Sequence, residues 1–182
     1  MGPWSGKGLA WLHKPSNLVS GDRAHSILLQ PDQNKSSIDN TALFLHYKPN
    51  YSGKSLEPEV YPRPDGTVYV CGQGDSEPLP DHPSDVKPDP KSCKTLFDIA
   101  AKVSHHLSDA ELVAESACYL PCSKDNVPLI GKVPGFDNVY VGTGHYCWGI
   151  LQGPATGEAL AEFMSSGKMP DILKDFDPSR LM

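Results

Sequence analysis

Residues 59–71, EVYPRPDGTVYVC, set the tightest limit on the fold. Two runs rich in valine and tyrosine flank Pro64-Asp65-Gly66, a turn sequence. Strands joined by so short a reversal pair antiparallel, because a parallel return needs a crossover of about a dozen residues or more. Proline points the same way. There are 18 prolines in 182 residues, and half of them lie between residues 49 and 90. That share is about twice the usual proline content of roughly 5%, and helices cannot persist where it is concentrated.

Periodicity supplies the other elements. Residues 24–29 and 41–47 read as strands, and residues 31–40 between them as a polar loop. Residues 72–91 read as a second loop. Leu96, Ile99, Ala100, Val103 and Leu107 form one apolar stripe at helical spacing, predicting a helix over 95–107. Residues 112–120 and 138–142 read as strands. A helix is expected over 150–166, with Pro154 in its first turn and Gly167 as its cap. The tail from 169 to 182 is expected to wrap the surface. Antiparallel strands, a helix and then a strand-loop-helix unit give an α+β fold.

Bulk properties remove several functions. The length fits one domain or slightly more. A hydrophobic share of 38% and a charged share of 21% are ordinary for a globular chain. The net charge of −6 disfavours nucleic acid and anionic membrane surfaces. No apolar run approaches the roughly 18 residues of a membrane span. Five cysteines, with no C-x-x-C spacing, argue against a disulfide framework and for a reducing compartment. Cys118-x-x-x-Cys122 does not have zinc spacing, so no metal is expected. The opening residues MGPW lack the regions of a secretory signal, so a cytoplasmic protein is expected.

The stretch VYVGTGHYCWGILQG, residues 139–153, runs from a strand through Gly142, Gly144 and Gly149 into a helix. A helix start carries a partial positive charge and suits an anionic group. The glycine spacing is not that of a dinucleotide phosphate loop. A plain tight turn using glycine for positive φ explains the same residues, and a phosphate-binding turn of another class remains a third reading. Residues 125–135, with Pro128-x-x-Gly131 and Pro134-Gly135 as turns, read as a rigid connector. His145 reads as structural, its ring bonded to a backbone carbonyl. Trp148 suits a cofactor wall or a core position equally. Cys147 reads as a small hydrophobe rather than a nucleophile.

The run PCSKDNVPLIGKVPGFDNVYVGTGHYCWGILQGPATGEALAEFM resembles the C-terminal signature of D-amino-acid-oxidase-like flavoproteins. YPRPDGTVYVCG resembles that family's substrate-domain hairpin, and GPWS at 2–5 the segment leading into the domain. The wording is closest to an uncharacterised plant and fungal branch.

The resemblance implies an antiparallel substrate-domain sheet over 21–117. It implies parts of a Rossmann-like FAD domain over 1–20 and 118–182. It implies FAD as cofactor, contacted by Gly144, His145, Trp148, Gly149, Ile150 and Leu151. It places Tyr61, Arg63 and Tyr69 toward a small amine-type substrate, with O₂ as an acceptor. Many amino-acid oxidases of the family carry an arginine carboxylate clamp where this chain has Leu120, which disfavours α-amino acids. The family's Gly-x-Gly-x-x-Gly unit is not present in these residues, so the chain is expected to be the C-terminal portion of a longer oxidoreductase. The alternative is a non-catalytic remnant that serves as an interaction module.

Overall fold

The structure is a computed structural model that describes residues 2–14, 16–32, 34, 38–49 and 55–182. Part of the loop expected over 31–40 lies outside these residues. Two compact units emerge: Arg23–Cys118, and a discontinuous unit of Met1–Asp22 with Tyr119–Met182.

β1 (Val19–Gln30), β2 (Leu43–Phe44), β3 (Glu59–Pro62), β4 (Val68–Asp75) and β5 (Glu111–Ser123) build one sheet, most of whose residues belong to the unit Arg23–Cys118. Its order is β2-β3-β4-β1-β5. The β2/β3, β3/β4 and β1/β4 pairs are antiparallel, as the short turn requires. Only two residues of the strand expected over 41–47 join regular pairing. The reason lies in its partner. Leu45 donates its N–H to the Pro58 carbonyl at 2.9 Å, but Pro58 has no N–H to return. Pairing resumes only at the isolated bridge between Tyr47 and Leu56.

Helix α2 covers Pro90–Val103, earlier than the expected 95–107. Asp89 caps it by accepting the Ser92 N–H at 2.9 Å, and Pro90 occupies the first turn, where a missing N–H costs nothing. The loop expected over 72–91 is therefore trimmed at both ends, by β4 and by α2. Ser104 ends α2 with an extended backbone, and its hydroxyl accepts the His106 N–H to open α3 (His105–Ser108). The apolar stripe still reaches Leu107, because α3 resumes on the same side. Cys93, Leu96, Ala100 and Leu107 pack with Ile27, Leu29, Val60, Val68 and Val70 as one core. Burying each leucine, isoleucine or valine contributes about 1.5–3 kcal/mol. Buried His25 pins the entry to α2: its Nε2 accepts the Asp89 N–H at 3.0 Å, and its Nδ1 lies 3.2 Å from the Gln73 carbonyl oxygen.

The other unit contains α1 (Ser5–Trp11), β6 (Leu129–Lys132), β7 (Tyr140–Thr143) and α4 (Gly149–Ser166). Residues 125–135 are more than a connector, since β6 pairs antiparallel with β7. Its prolines sit outside the four paired residues, which is why the segment can be a strand. Leu9, Leu18, Val19, Leu129, Val133 and Val141 form one core. Ile130, Ala159, Phe163 and Leu173 form another, beneath α4. The tail does not merely wrap the surface: Leu173 and Pro178 are buried. Arg180 donates to both Asp125 carboxylate oxygens and to the carbonyls of Val127 and Pro128. Among the described residues no helix is long and apolar enough to cross a membrane, and no cluster of metal-binding side chains occurs.

Candidate functional site

β7 delivers the chain into the turn that precedes α4. Gly142 lies where α4 crosses the strand. A β-carbon there would sit 3.2 Å from Thr156 Cγ2 and 3.4 Å from Leu160 Cδ1, so glycine permits the close approach. Gly144 has φ of +78°, and a β-carbon there would face Ser123 and Pro128. Its glycine requirement is conformational, and its α-carbon points into protein. Thr143 is fully buried and shares a hydrogen bond of 2.6 Å with Ser5 of α1.

His145 is buried, and its Nε2 lies 3.0 Å from the Thr156 hydroxyl. The partner is thus a side chain on α4 rather than a backbone carbonyl. Burial pushes the imidazole pKa below its ordinary value, since a charged ring would lose its hydration. Tyr146 adopts φ of +54° and turns the backbone sharply. Residues 146–148 then make one 3₁₀ turn that runs directly into α4.

α4 starts at Gly149, one residue before the expected position, with ordinary helical angles of −58° and −40°. Gly149 therefore needs no positive φ. Pro154 falls inside the helix rather than in its first turn, since it is the sixth residue counted from Gly149. Gly167 ends α4 in the left-handed conformation, as its sequence position implies.

The start of α4 is open. Trp148, the residue before it, offers no side-chain cap, and no acidic residue lies in the first turn. The partial positive charge of an 18-residue helix is therefore not offset by its own first turn. Around it, Tyr146, Trp148, Ile150 and Leu151 are exposed at 47%, 56%, 97% and 73%. Trp148 is therefore not a core residue. Four large apolar side chains are thus exposed within six residues of sequence. Gly149, Gly153 and Gly157 follow at intervals of four along α4, and nothing stands within 4 Å of a β-carbon at Gly153 or Gly157. These residues border a cleft of about 710 Å³ that also touches Leu120, Pro121 and His145. Cys147 is exposed on the same turn.

In the unit Arg23–Cys118, Tyr61 and Tyr69 are cross-strand partners with ring centroids 6.4 Å apart. The Arg63 guanidinium lies 5.1 Å from the Tyr69 ring centroid. The three residues singled out from the hairpin therefore meet on one face. Glu59, not singled out, stands beside them and accepts the Tyr61 hydroxyl at 2.6 Å. Its sequence signal was the two-residue spacing from Tyr61, which puts both side chains on one side of β3.

The fold thus consists of an antiparallel sheet unit and a strand-turn-helix unit that presents an open helix start. The chain belongs to the D-amino-acid-oxidase (DAO) family of FAD-dependent oxidoreductases: the family model "FAD dependent oxidoreductase" matches residues 1–163.

The protein TDA3 of Saccharomyces cerevisiae, whose name classes it as an oxidoreductase, is 35% identical over 98% of this chain and 33% of its own length. A Schizosaccharomyces pombe protein, C1F5.03c, also named an oxidoreductase, is 36% identical over 91% of this chain and 41% of its own. The chain thus spans about a third to two fifths of the length of these relatives. Among solved structures, glycine oxidase from Geobacillus kaustophilus superposes with a TM-score of 0.78 at 20% identity. It covers the whole of this chain and 44% of its own. L-proline dehydrogenase from P. horikoshii gives 0.73 at 18% identity, over 99% of this chain and 45% of its own.

The cofactor of this family is FAD, and the residues at the start of α4 suit a flavin. The surface is apolar, flat at its glycines and positive at the helix end, which matches a planar ring that gains negative charge on reduction.

Proposed function

We propose that the protein oxidises a small amine, removing hydride from a carbon next to nitrogen. The observation that carries this reading is the open apolar start of α4, exposed within a segment that the FAD-dependent family model matches. Residues 1–20 and 118–182 serve the flavin, and residues 21–117 serve the substrate. His145, Trp148, Gly149, Ile150 and Leu151 hold the ring, and Gly144 sets the turn that presents them.

Each residue has a physical task. The N–H groups of Gly149, Ile150 and Leu151, at the positive end of α4, favour charge that builds up on the ligand edge nearest them. Trp148, Ile150 and Leu151 exclude water from that edge. His145 stays neutral in its buried site, and its bond to Thr156 fixes the turn. FAD held by these residues would supply the hydride acceptor, with O₂ as the final electron acceptor and H₂O₂ as product. On the substrate side, Tyr61, Tyr69 and Arg63 line the pocket. Leu120 offers no charge to a carboxylate, so an amine fits better than an α-amino acid. By their names, the solved neighbours glycine oxidase and L-proline dehydrogenase act on amino compounds, which supports the same class of substrate. Five cysteines without C-x-x-C spacing fit a reducing, cytoplasmic setting.

The test uses protein purified from its native source, mixed anaerobically with primary and secondary amines, amino acids, 2-hydroxy acids and NAD(P)H. Amines should bleach the flavin absorbance, with H₂O₂ formed when air is readmitted. Bleaching by 2-hydroxy acids or NAD(P)H but not by amines would overturn the reading.

A further inference from the structure

The side chains of Glu59 and Tyr61 leave β3 on the face opposite buried Val60. β4 sets Cys71 across from Glu59 and Tyr69 across from Tyr61. Phe44 of β2 stands edge-on to Tyr61, with centroids 5.7 Å apart, and is itself 71% exposed. One carboxylate therefore sits among three aromatic rings on an accessible sheet face.

The donors around that carboxylate are neutral. The Tyr61 hydroxyl donates to Glu59 Oε2 at 2.6 Å, and the Cys71 thiol donates to the same oxygen at 3.8 Å. The hydrogen bond to Glu59 pushes the Tyr61 pKa up to about 12. Burial, with Glu59 adding to it, pushes the Cys71 thiol up to about 11. Both groups stay protonated at neutral pH, so they orient the carboxylate without matching its charge. Among the described residues no lysine or arginine pairs with Glu59. Arg63, just past the end of β3, lies over the Tyr69 ring instead. A half-buried carboxylate with aromatic neighbours and no counter-cation is suited to an organic cation, which gains from both the charge and the ring faces.

We propose that Glu59 recognises the positively charged nitrogen of the arriving substrate, with Tyr61 and Phe44 as the walls of that subsite. The proton passes to solvent before hydride leaves the neighbouring carbon, because only the neutral nitrogen has a lone pair to support that loss. This rests on the amine reading above and adds the residue that selects for charge.

The test is an NMR titration of the 182-residue chain with n-butylammonium, n-butanol and butyrate. It needs neither flavin nor turnover. Butylammonium should give saturable shifts centred on Glu59, Tyr61 and Cys71, while butanol and butyrate leave these amides unmoved. Glu59→Gln should weaken butylammonium binding at least tenfold. The amide still accepts the Tyr61 hydroxyl, so the sheet is expected to persist. If that variant fails to fold, the comparison of the three probes on the wild-type chain decides alone. Equal binding of butanol, preferential binding of butyrate, shifts away from Glu59, or unchanged affinity in Glu59→Gln would each overturn the proposal. If amines reduce the flavin while butylammonium avoids Glu59, the subsite falls and the amine reading stands. If butylammonium binds at Glu59 while amines leave the flavin oxidised, the cation subsite stands and the amine reading falls.

Discussion

His145 Nε2 lies 3.0 Å from Thr156 Oγ1 and ties the turn after β7 to the second turn of α4. The bond crosses eleven residues of sequence and joins a buried ring to a half-buried hydroxyl. It fixes the helix start relative to the turn that precedes it.

Thr156→Val keeps the shape of the side chain and removes the hydroxyl. The chain should remain folded and lose about 1 kcal/mol, the usual contribution of a hydrogen bond whose partner is buried. Urea unfolding measures this. Burial lowers the folded pKa of His145, so the folded chain favours the neutral ring. That contribution is fully present above the unfolded value of about 6.5 and fades as pH falls below it. A Tm that declines between pH 7 and pH 5 in the wild type, and declines less in His145→Gln, is expected.

Asp125 supplies a separate effect at lower pH. Its bonds to Arg180 pull the carboxyl pKa from 3.8 to about 2. A depressed carboxylate stabilises the fold above its unfolded pKa and loses that contribution as pH falls through the folded one. The window is therefore pH 4 to pH 2. Asp125→Asn should flatten the fall in stability across it. Arg180→Ala should cost about 2 kcal/mol at neutral pH, because bonds from a charged donor are lost to the carboxylate and to two carbonyls. Thermal melts across the pH range check both.

Gly142 and Gly153 should respond oppositely to alanine. At Gly142 the added carbon would lie 3.2 Å from Thr156 Cγ2, so that side chain must give by a few tenths of an ångström and strain its bond to His145. A loss of about 1–3 kcal/mol is expected. At Gly153 nothing lies within 4 Å, and alanine is the better helix former. A gain of about 0.5–1 kcal/mol is expected. Chemical denaturation of the two variants separates these outcomes.

Much of this layout was legible in the residues, and the misses have local causes. The hairpin was readable because Pro64-Asp65-Gly66 admits few alternatives. The stripe from Leu96 to Leu107 identified α2, but not the interruption at Ser104, since a serine that caps the next turn leaves the apolar period intact. The strand over 41–47 looked regular, because its defect belongs to Pro58 on the partner strand. β6 was hidden by flanking prolines that lie just outside its four paired residues. Gly149 looked like a turn glycine, yet its angles are helical, and the positive φ falls at Gly144 and Tyr146 instead. Tertiary pairing of Arg180 with Asp125, 55 residues apart, left no local signature.

The assignment of the α4 start to the flavin is tested most directly by titrating FAD into the 182-residue chain and into Gly153→Ala, followed by NMR. These residues contain no Gly-x-Gly-x-x-Gly loop for the pyrophosphate, so FAD should bind weakly and be lost on dialysis. At saturation the shifts should concentrate on the amides of Trp148, Gly149, Ile150, Leu151 and Gly153. Gly153→Ala should bind FAD several-fold more weakly while melting at a higher temperature, because its new methyl group occupies the face that the ring would approach. Shifts that avoid residues 145–153, or a Gly153→Ala chain with unchanged affinity for FAD, would contradict the assignment.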